Sequence, residues 1–311
     1  MEKLSAQLRQ SIVMGLIMPI LLIGGVGNLA DKAQMPSFAT KDSETTVLLT
    51  DGREMGLDGY LQRVLLGEMP TSFAQEAMNA QAVAARTYTV KAMAGGKHGG
   101  KLCTDSTCCQ AFCDDAAFSA LPAEARQKAA DAVRETDALV LTYEGALIEA
   151  TFFSCSGGRT EDAVAVWGTD YPYLRSVESP GEENARYDRD SVFFSGQALA
   201  AALDIAPEGE PASWIGATER TEGGGVAAME LGEKRFTGVY LRQALGLRST
   251  AFTVTAEGDG LRFDTRGYGH RVGLSQYGAD AMASGGADFR EILSHYYPGT
   301  ALLNYGEFVE E

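Results

Sequence analysis

Leu57-Asp58-Gly59-Tyr60-Leu61-Gln62-Arg63-Val64-Leu65-Leu66-Gly67-Glu68-Met69-Pro70 organises the reading of everything around it. Leu57, Tyr60, Leu61, Val64 and Leu65 recur at the i, i+3, i+4, i+7 spacing of one helix face. A glycine after the last apolar residue predicts a helix end near Gly67. Pro70 disfavours a helical conformation at Met69, so Glu68 and Met69 are expected to form a short corner before a second, alanine-rich helix from Pro70 to about Met93. An acid at such a corner has two readings. Held against apolar walls, it can keep its proton near neutral pH and serve as a general acid. Placed in the first turn of the next helix, it is simply a stabilising anion at the positive end of the helix dipole.

The chain of 311 residues is 45% hydrophobic, enough for one large core or two modest ones. A net charge of −16, with Lys and Arg scattered among acids, argues against nucleic acid as a partner. Lys3 and Arg9 precede an apolar run, Ile12 to Val26, and no charge occurs from Ser11 to Ala30. That length and its basic flank predict one N-terminal transmembrane helix within residues 1–30, with the remainder outside the cytoplasm. Asn28-Leu29-Ala30 fits a signal-peptide cleavage site poorly, so the segment reads as an uncleaved anchor. Polar residues 31–45 read as a linker.

Beyond the linker, Thr46 to Leu49 suggests a strand, Ala123 to Glu135 a helix after Pro122, and Ala138–Tyr143 with Ala146–Phe153 a hairpin. Gly181 to Arg189 is charged and turn-rich, Gly196 to Leu203 helical, and Pro207 to Gly225 a loop. Val239 to Leu245 suggests a helix, Ala251–Thr255 with Leu261–Thr265 a second hairpin, and Ser275–Ser284 a further helix. This order lacks the regular alternation of a doubly wound sheet, so the expected class is α+β, with mixed sheets, hairpins and surrounding helices.

His98, Cys103, Cys108, Cys109 and Cys113 crowd one glycine-bounded loop. Thiolates and imidazole are the donors of a closed zinc site. Disulfides are the rival in an oxidising compartment, although five cysteines leave one unpaired and the vicinal Cys108-Cys109 pair is awkward to bridge. No Gly-x-Ser-x-Gly elbow and no phosphate loop is present, which weakens serine hydrolase and nucleotide-dependent readings. His270 either assists substrate binding or hydrogen-bonds a strand end.

Three separated signatures converge: Glu68-Met69-Pro70 with Ala80-Gln81-Ala82-Val83-Ala84-Ala85-Arg86-Thr87-Tyr88; Ser154-Cys155-Ser156-Gly157-Gly158-Arg159-Thr160-Glu161; and Gly269-His270-Arg271-Val272-Gly273-Leu274-Ser275-Gln276-Tyr277-Gly278-Ala279. Together they resemble the stage II sporulation protein D family, over roughly residues 45–305. The resemblance implies a membrane-anchored lytic transglycosylase that cuts peptidoglycan glycan strands, already stripped of stem peptides, during engulfment of the forespore. It implies Glu68 as the catalytic residue, a location in the mother-cell membrane facing the forespore, and the sporulation amidase protein P and membrane protein M as partners. The loop from Cys103 to Gln110 resembles a zinc-binding loop of some clostridial members, which implies Zn2+ on His98, Cys103, Cys108 and Cys109. Two residues depart from the family pattern: Cys108 stands where some relatives place histidine, and Arg271 where many have glycine.

A glycosidase usually employs two carboxylates, but a lytic transglycosylase can act with one, because the 6-hydroxyl of the sugar replaces water as nucleophile. Glu68 is accordingly expected to cleave the N-acetylmuramic acid to N-acetylglucosamine bond and leave a 1,6-anhydro end. Arg86 would orient the sugar or pair with a carboxylate. Ser154, Ser156, Thr160, Gln276 and Tyr277 are candidates to line the groove. The alternatives are a two-carboxylate muramidase and a zinc-stabilised glycan-binding scaffold that recruits a cell-wall amidase.

Overall fold

The computed structural model describes residues 41–306 except 97, 184 and 207. It is α+β, as expected, and divides into two compact units. One is the continuous stretch Phe152–Ala281; the other joins residues 41–151 to residues 282–306. The expected membrane anchor lies outside the described residues, among which no helix is long and apolar enough to cross a membrane.

In the discontinuous unit the helix Leu57–Glu68 buries the five apolar residues of the predicted face. Each such side chain contributes about 1.5–3 kcal/mol of transfer free energy. Met69 is extended (φ −120°, ψ 142°) and its N–H donates to Leu65 at 2.9 Å, so the helix stops where the proline requires. The next helix starts later than Pro70, at Gln75, and runs to Met93. Residues 70–73 form a turn instead, closed by Phe73 N–H on the Pro70 carbonyl and buttressed by the Lys128 ammonium, which donates to the Thr71 and Phe73 carbonyls.

Ala123–Glu135 is helical as read, and a three-stranded sheet places Leu139–Tyr143 between Ala301–Asn304 and Ala146–Leu147. Glu144 and Gly145, both at positive φ, make the tight hairpin turn. The second arm of that hairpin ends at Leu147, however; Phe152–Phe153 belongs to the other unit, where it pairs in parallel with Leu274–Ser275. Residues 42–45, expected in the linker, are part of the fold: Asp42 is 1% exposed and lies in a short 3-10 turn.

The continuous unit contains two three-stranded antiparallel sheets. One orders Phe252–Glu257, Gly260–Arg266 and Arg189–Ser195; the other orders Ile215–Arg220, Val226–Leu231 and Lys234–Thr237. The predicted loop from 207 to 225 therefore holds a strand. A shared core of Leu199, Trp214, Met229, Leu241, Phe252, Leu261 and Phe263 joins these sheets to the helices Gly196–Leu203 and Gly238–Ala244.

Candidate functional site

Glu68 is the last residue of its helix and half-buried. It does not sit in the first turn of the following helix, which begins at Gln75, so the dipole-stabilising explanation for this acid does not apply. A carboxylate at a helix C-terminus faces the negative end of the dipole, an unfavourable place that stability alone does not explain. Its Oε1 accepts a hydrogen bond from the Ala111 N–H at 2.6 Å, which fixes the plane of the carboxyl group.

Gly67 makes this contact geometrically available. A β-carbon there would lie 2.9 Å from the Ala111 carbonyl carbon and the Phe112 nitrogen, closer than van der Waals contact allows. Gln110 anchors the same strip of loop: it is 1% exposed, and its amide donates to Thr89 Oγ1 at 3.0 Å.

Ala111 lies just beyond the cysteine cluster. The ligand atoms of His98, Cys103, Cys108 and Cys109 are all within 4.8 Å of one another, with His98 Nε2 and Cys108 Sγ 3.1 Å apart. A tetrahedral zinc site with sulfur at about 2.3 Å requires donor separations of roughly 3.8 Å, so this quartet fits a metal ion with little adjustment. Burial and the neighbouring thiols push Cys103 up to about 12. Thiolates crowded this closely need a cation among them. No disulfide joins any of the five cysteines; Cys113 and Cys155 are buried thiols outside the quartet.

Arg86 takes the structural role of the two expected for it. Its side chain is wholly buried and its guanidinium meets Asp42 through Nε at 2.8 Å and Nη2 at 2.6 Å. The remaining N–H groups reach Thr136 Oγ1 and the Val133 and Leu139 carbonyls. This corrects its assignment as a sugar-binding residue: the fork is fully engaged inside the unit.

The other predicted polar residues lie in the continuous unit. Ser156 and Thr160 are also corrected, since both are fully buried. Ser156 donates through N–H and Oγ to Glu182 Oε2, and Thr160 Oγ1 accepts from Val177 N–H. Gln276 is buried at the start of the helix Gln276–Ser284, whereas Ser154 and Tyr277 keep partial exposure.

Of the residues that shape this motif, Glu182 was not singled out by the sequence, and Glu161 and Arg271 were given no structural role. Glu182, 2% exposed, accepts on Oε2 from Cys155, Ser156 and Gly157, and on Oε1 from Ser179 and Ser275 at 2.6 Å each. Glu161 pairs with Arg271 at 3.0 Å and receives the Gly225 N–H and the Thr221 hydroxyl. Arg271 adopts φ 66°, a conformation glycine enters freely, and its guanidinium also holds the Ser156, Arg159 and Gly223 carbonyls. Those bonds account for an arginine at a strained position.

His270 settles at a strand end. Its Nδ1 accepts from Val272 N–H at 3.1 Å, its other nitrogen bonds the Phe152 backbone, and it packs between Phe153 and Trp167. Desolvation, reinforced by Arg242, pushes its pKa down to about 3, so the ring is neutral.

The family model described as SpoIID, Stage II sporulation protein, matches residues 48–143, which hold Glu68 and the His/Cys loop. The chain is 35% identical over 264 residues to Stage II sporulation protein D of Bacillus subtilis, covering 82% of this chain and 76% of that protein. The same protein of Bacillus amyloliquefaciens matches at 35% over the same shares. An Amidase enhancer of Bacillus subtilis is 29% identical over 79% of this chain and 40% of its own length. Alongside the positions of Glu68 and the His/Cys quartet, these matches show that the chain belongs to the stage II sporulation protein D family.

Proposed function

We propose that this protein is a lytic transglycosylase acting in sporulation, which cleaves the N-acetylmuramic acid to N-acetylglucosamine bond of peptide-free peptidoglycan strands during engulfment. The observation that carries this reading is the half-buried Glu68 carboxyl at the end of its helix, oriented by the Ala111 N–H. Glu68 first donates its proton to the departing glycosidic oxygen. It then takes the proton of the muramyl 6-hydroxyl as that oxygen attacks the anomeric carbon, which closes the 1,6-anhydro ring and regenerates the acid. No water is consumed. Ser154 and Tyr277 are the remaining candidates for contact with the glycan.

His98, Cys103, Cys108 and Cys109 would hold Zn2+, whose contribution is structural. The loop they define ends at Gln110 and Ala111, so its order determines how Glu68 is presented. We assign the N-terminal segment to a single-pass anchor that leaves the catalytic units outside the cytoplasm, facing the forespore. Its partners on this reading are the sporulation amidase protein P and membrane protein M.

Digestion of purified, peptide-free glycan by the parent and by Glu68→Gln tests the proposal. The parent should yield products lacking the mass of one water relative to hydrolysis products, and the variant should yield none. Cleavage by the variant at the parental rate sinks the assignment. The similarity to an amidase enhancer favours one second reading, a glycan-binding scaffold that recruits an amidase. It predicts intact strands with both proteins and amidase stimulation that survives Glu68→Gln.

A further inference from the structure

The sheet of Arg189–Ser195, Gly260–Arg266 and Phe252–Glu257 has two unlike faces. Val192, Phe194, Leu261, Phe263, Phe252 and Val254 point to the core side. The alternate residues form an open face: Arg189, Ser191 and Phe193 on one strand, Asp264 and Arg266 on the next, Thr253 on the third. This face floors a cavity of about 740 Å³, within the range of roughly 300–1,000 Å³ usual for pockets that enclose a small ligand.

Its charge runs against that of the chain. Arg189, Arg220 and Arg266 line the cavity with two acids, Asp190 and Asp264, whereas the chain as a whole carries −16. Asp190 is itself engaged by Arg248 at 3.2 Å. Arg189 and Arg266 stand directly opposite each other on neighbouring strands, an arrangement in which like charges repel. Behind them the buried Asp188 lies 3.3 Å from Arg189 and 3.9 Å from Arg266, and neither of its oxygens makes a hydrogen bond. This partial neutralisation leaves the outer faces of both guanidinium groups, 76% and 50% exposed, directed to solvent. Arg220 is fixed at the rim by its bonds to the Gly224 and Phe252 carbonyls.

We infer that this cavity binds a saccharide carboxylate, and that in the glycan of the proposed reaction it takes the lactyl carboxylate of an N-acetylmuramic acid whose stem peptide has been removed. Guanidinium groups match a planar carboxylate with paired charge-assisted hydrogen bonds. Asp264, Ser191 and Thr253 supply what a bare anion would not need: acceptors and hydroxyls for ring hydroxyl groups. Phe193, 41% exposed, extends the same face with a flat apolar ring suited to the C–H face of a sugar. A muramyl residue still bearing its peptide has an amide in place of the carboxylate and loses the ionic contact. The inference rests on the glycan reading above for its natural ligand, and on the cavity alone for its chemistry.

The test measures equilibrium binding by full-length Glu68→Gln protein, so that substrate is retained. The probes are peptide-free muramyl glycan and a chitin oligosaccharide of equal length, which has the same backbone without the lactyl carboxylate. Muramyl glycan should bind at least about tenfold more tightly at low salt, the scale of one charge-assisted contact, and added salt should shrink that preference. Adding Arg189→Gln and Arg266→Gln should abolish the preference while leaving the affinity for chitin oligosaccharide unchanged, which also shows that the variant is folded. The double lysine variant should retain part of it. Equal binding of the two probes, or a preference indifferent to the glutamine pair, overturns the inference. Arginine-dependent binding without cleavage by the parent would instead remove the catalytic reading and leave this site standing.

Discussion

Arg86→Met is the substitution whose outcome the structure specifies most closely. It removes a fully buried guanidinium that makes a bidentate contact with Asp42 and reaches Thr136, Val133 and Leu139. Methionine occupies similar space, so the main effect is electrostatic: Asp42, 1% exposed, keeps a carboxylate with Tyr305 as its nearest remaining donor. Breaking a buried pair on one side costs about 3–5 kcal/mol, a large part of the roughly 5–15 kcal/mol that holds a domain together. At about 2–4 °C per kcal/mol, melting should drop by roughly 6–20 °C. Adding Asp42→Asn removes the stranded charge and should recover about 1–2 kcal/mol, a non-additivity that urea unfolding of the four proteins would expose. An Arg86→Met protein within about 1 kcal/mol of the parent, but with weakened glycan binding, would refute this reasoning and return Arg86 to the substrate.

Two further outcomes follow from the geometry. Gly67→Ala forces a methyl group against the Ala111–Phe112 backbone, so the loop must shift and the hydrogen bond to Glu68 must lengthen; cleavage should decline by about tenfold or more while helical circular dichroism is kept, and an unaffected rate would show that the contact is dispensable. His270 has a folded-state pKa near 3 against an ordinary 6.5, so the folded protein binds fewer protons than the unfolded chain; the resulting stability is complete above about pH 6.5 and declines as pH falls towards 3, by no more than a few kcal/mol. Urea unfolding at pH 7 and pH 4.5 should show a smaller decline in His270→Gln than in the parent, and equal declines would contradict a neutral ring.

What could be read from the sequence was local. The Leu57–Glu68 helix was visible because five apolar residues keep one face, and its end because glycine and proline punctuate it. The clustering of His98, Cys103, Cys108 and Cys109 was visible because all four share one loop. Long-range contacts were not. Asp42 read as linker because its partner Arg86 lies a full helix away in sequence and nothing local marks a buried aspartate. Ala111 contributes only a backbone N–H, which no residue type announces. The strands Arg189–Ser195 and Ile215–Arg220 escaped because residue type does not alternate with burial along them: in the first Phe193 is exposed and Asp190 half-buried, and in the second only Ile215 is even partly buried. Ser156 and Thr160 looked like substrate contacts because a hydroxyl bonded to a buried glutamate or to the backbone and one aimed at a sugar share the same letter.

The hydrogen bond from Tyr305 to Asp42 joins residues 263 positions apart and lies within the discontinuous unit. That unit also needs Ala301–Asn304 as the edge of its sheet, whereas Phe152–Ala281 has a continuous stretch to itself. During synthesis the intervening unit therefore has all its residues available first. The segment carrying Glu68 waits, with its closing strand still unmade, until Ala301–Asn304 has emerged. Order of emergence thus places completion of the glutamate-bearing fold after that of the intervening unit, a built-in delay before the Glu68 site can form.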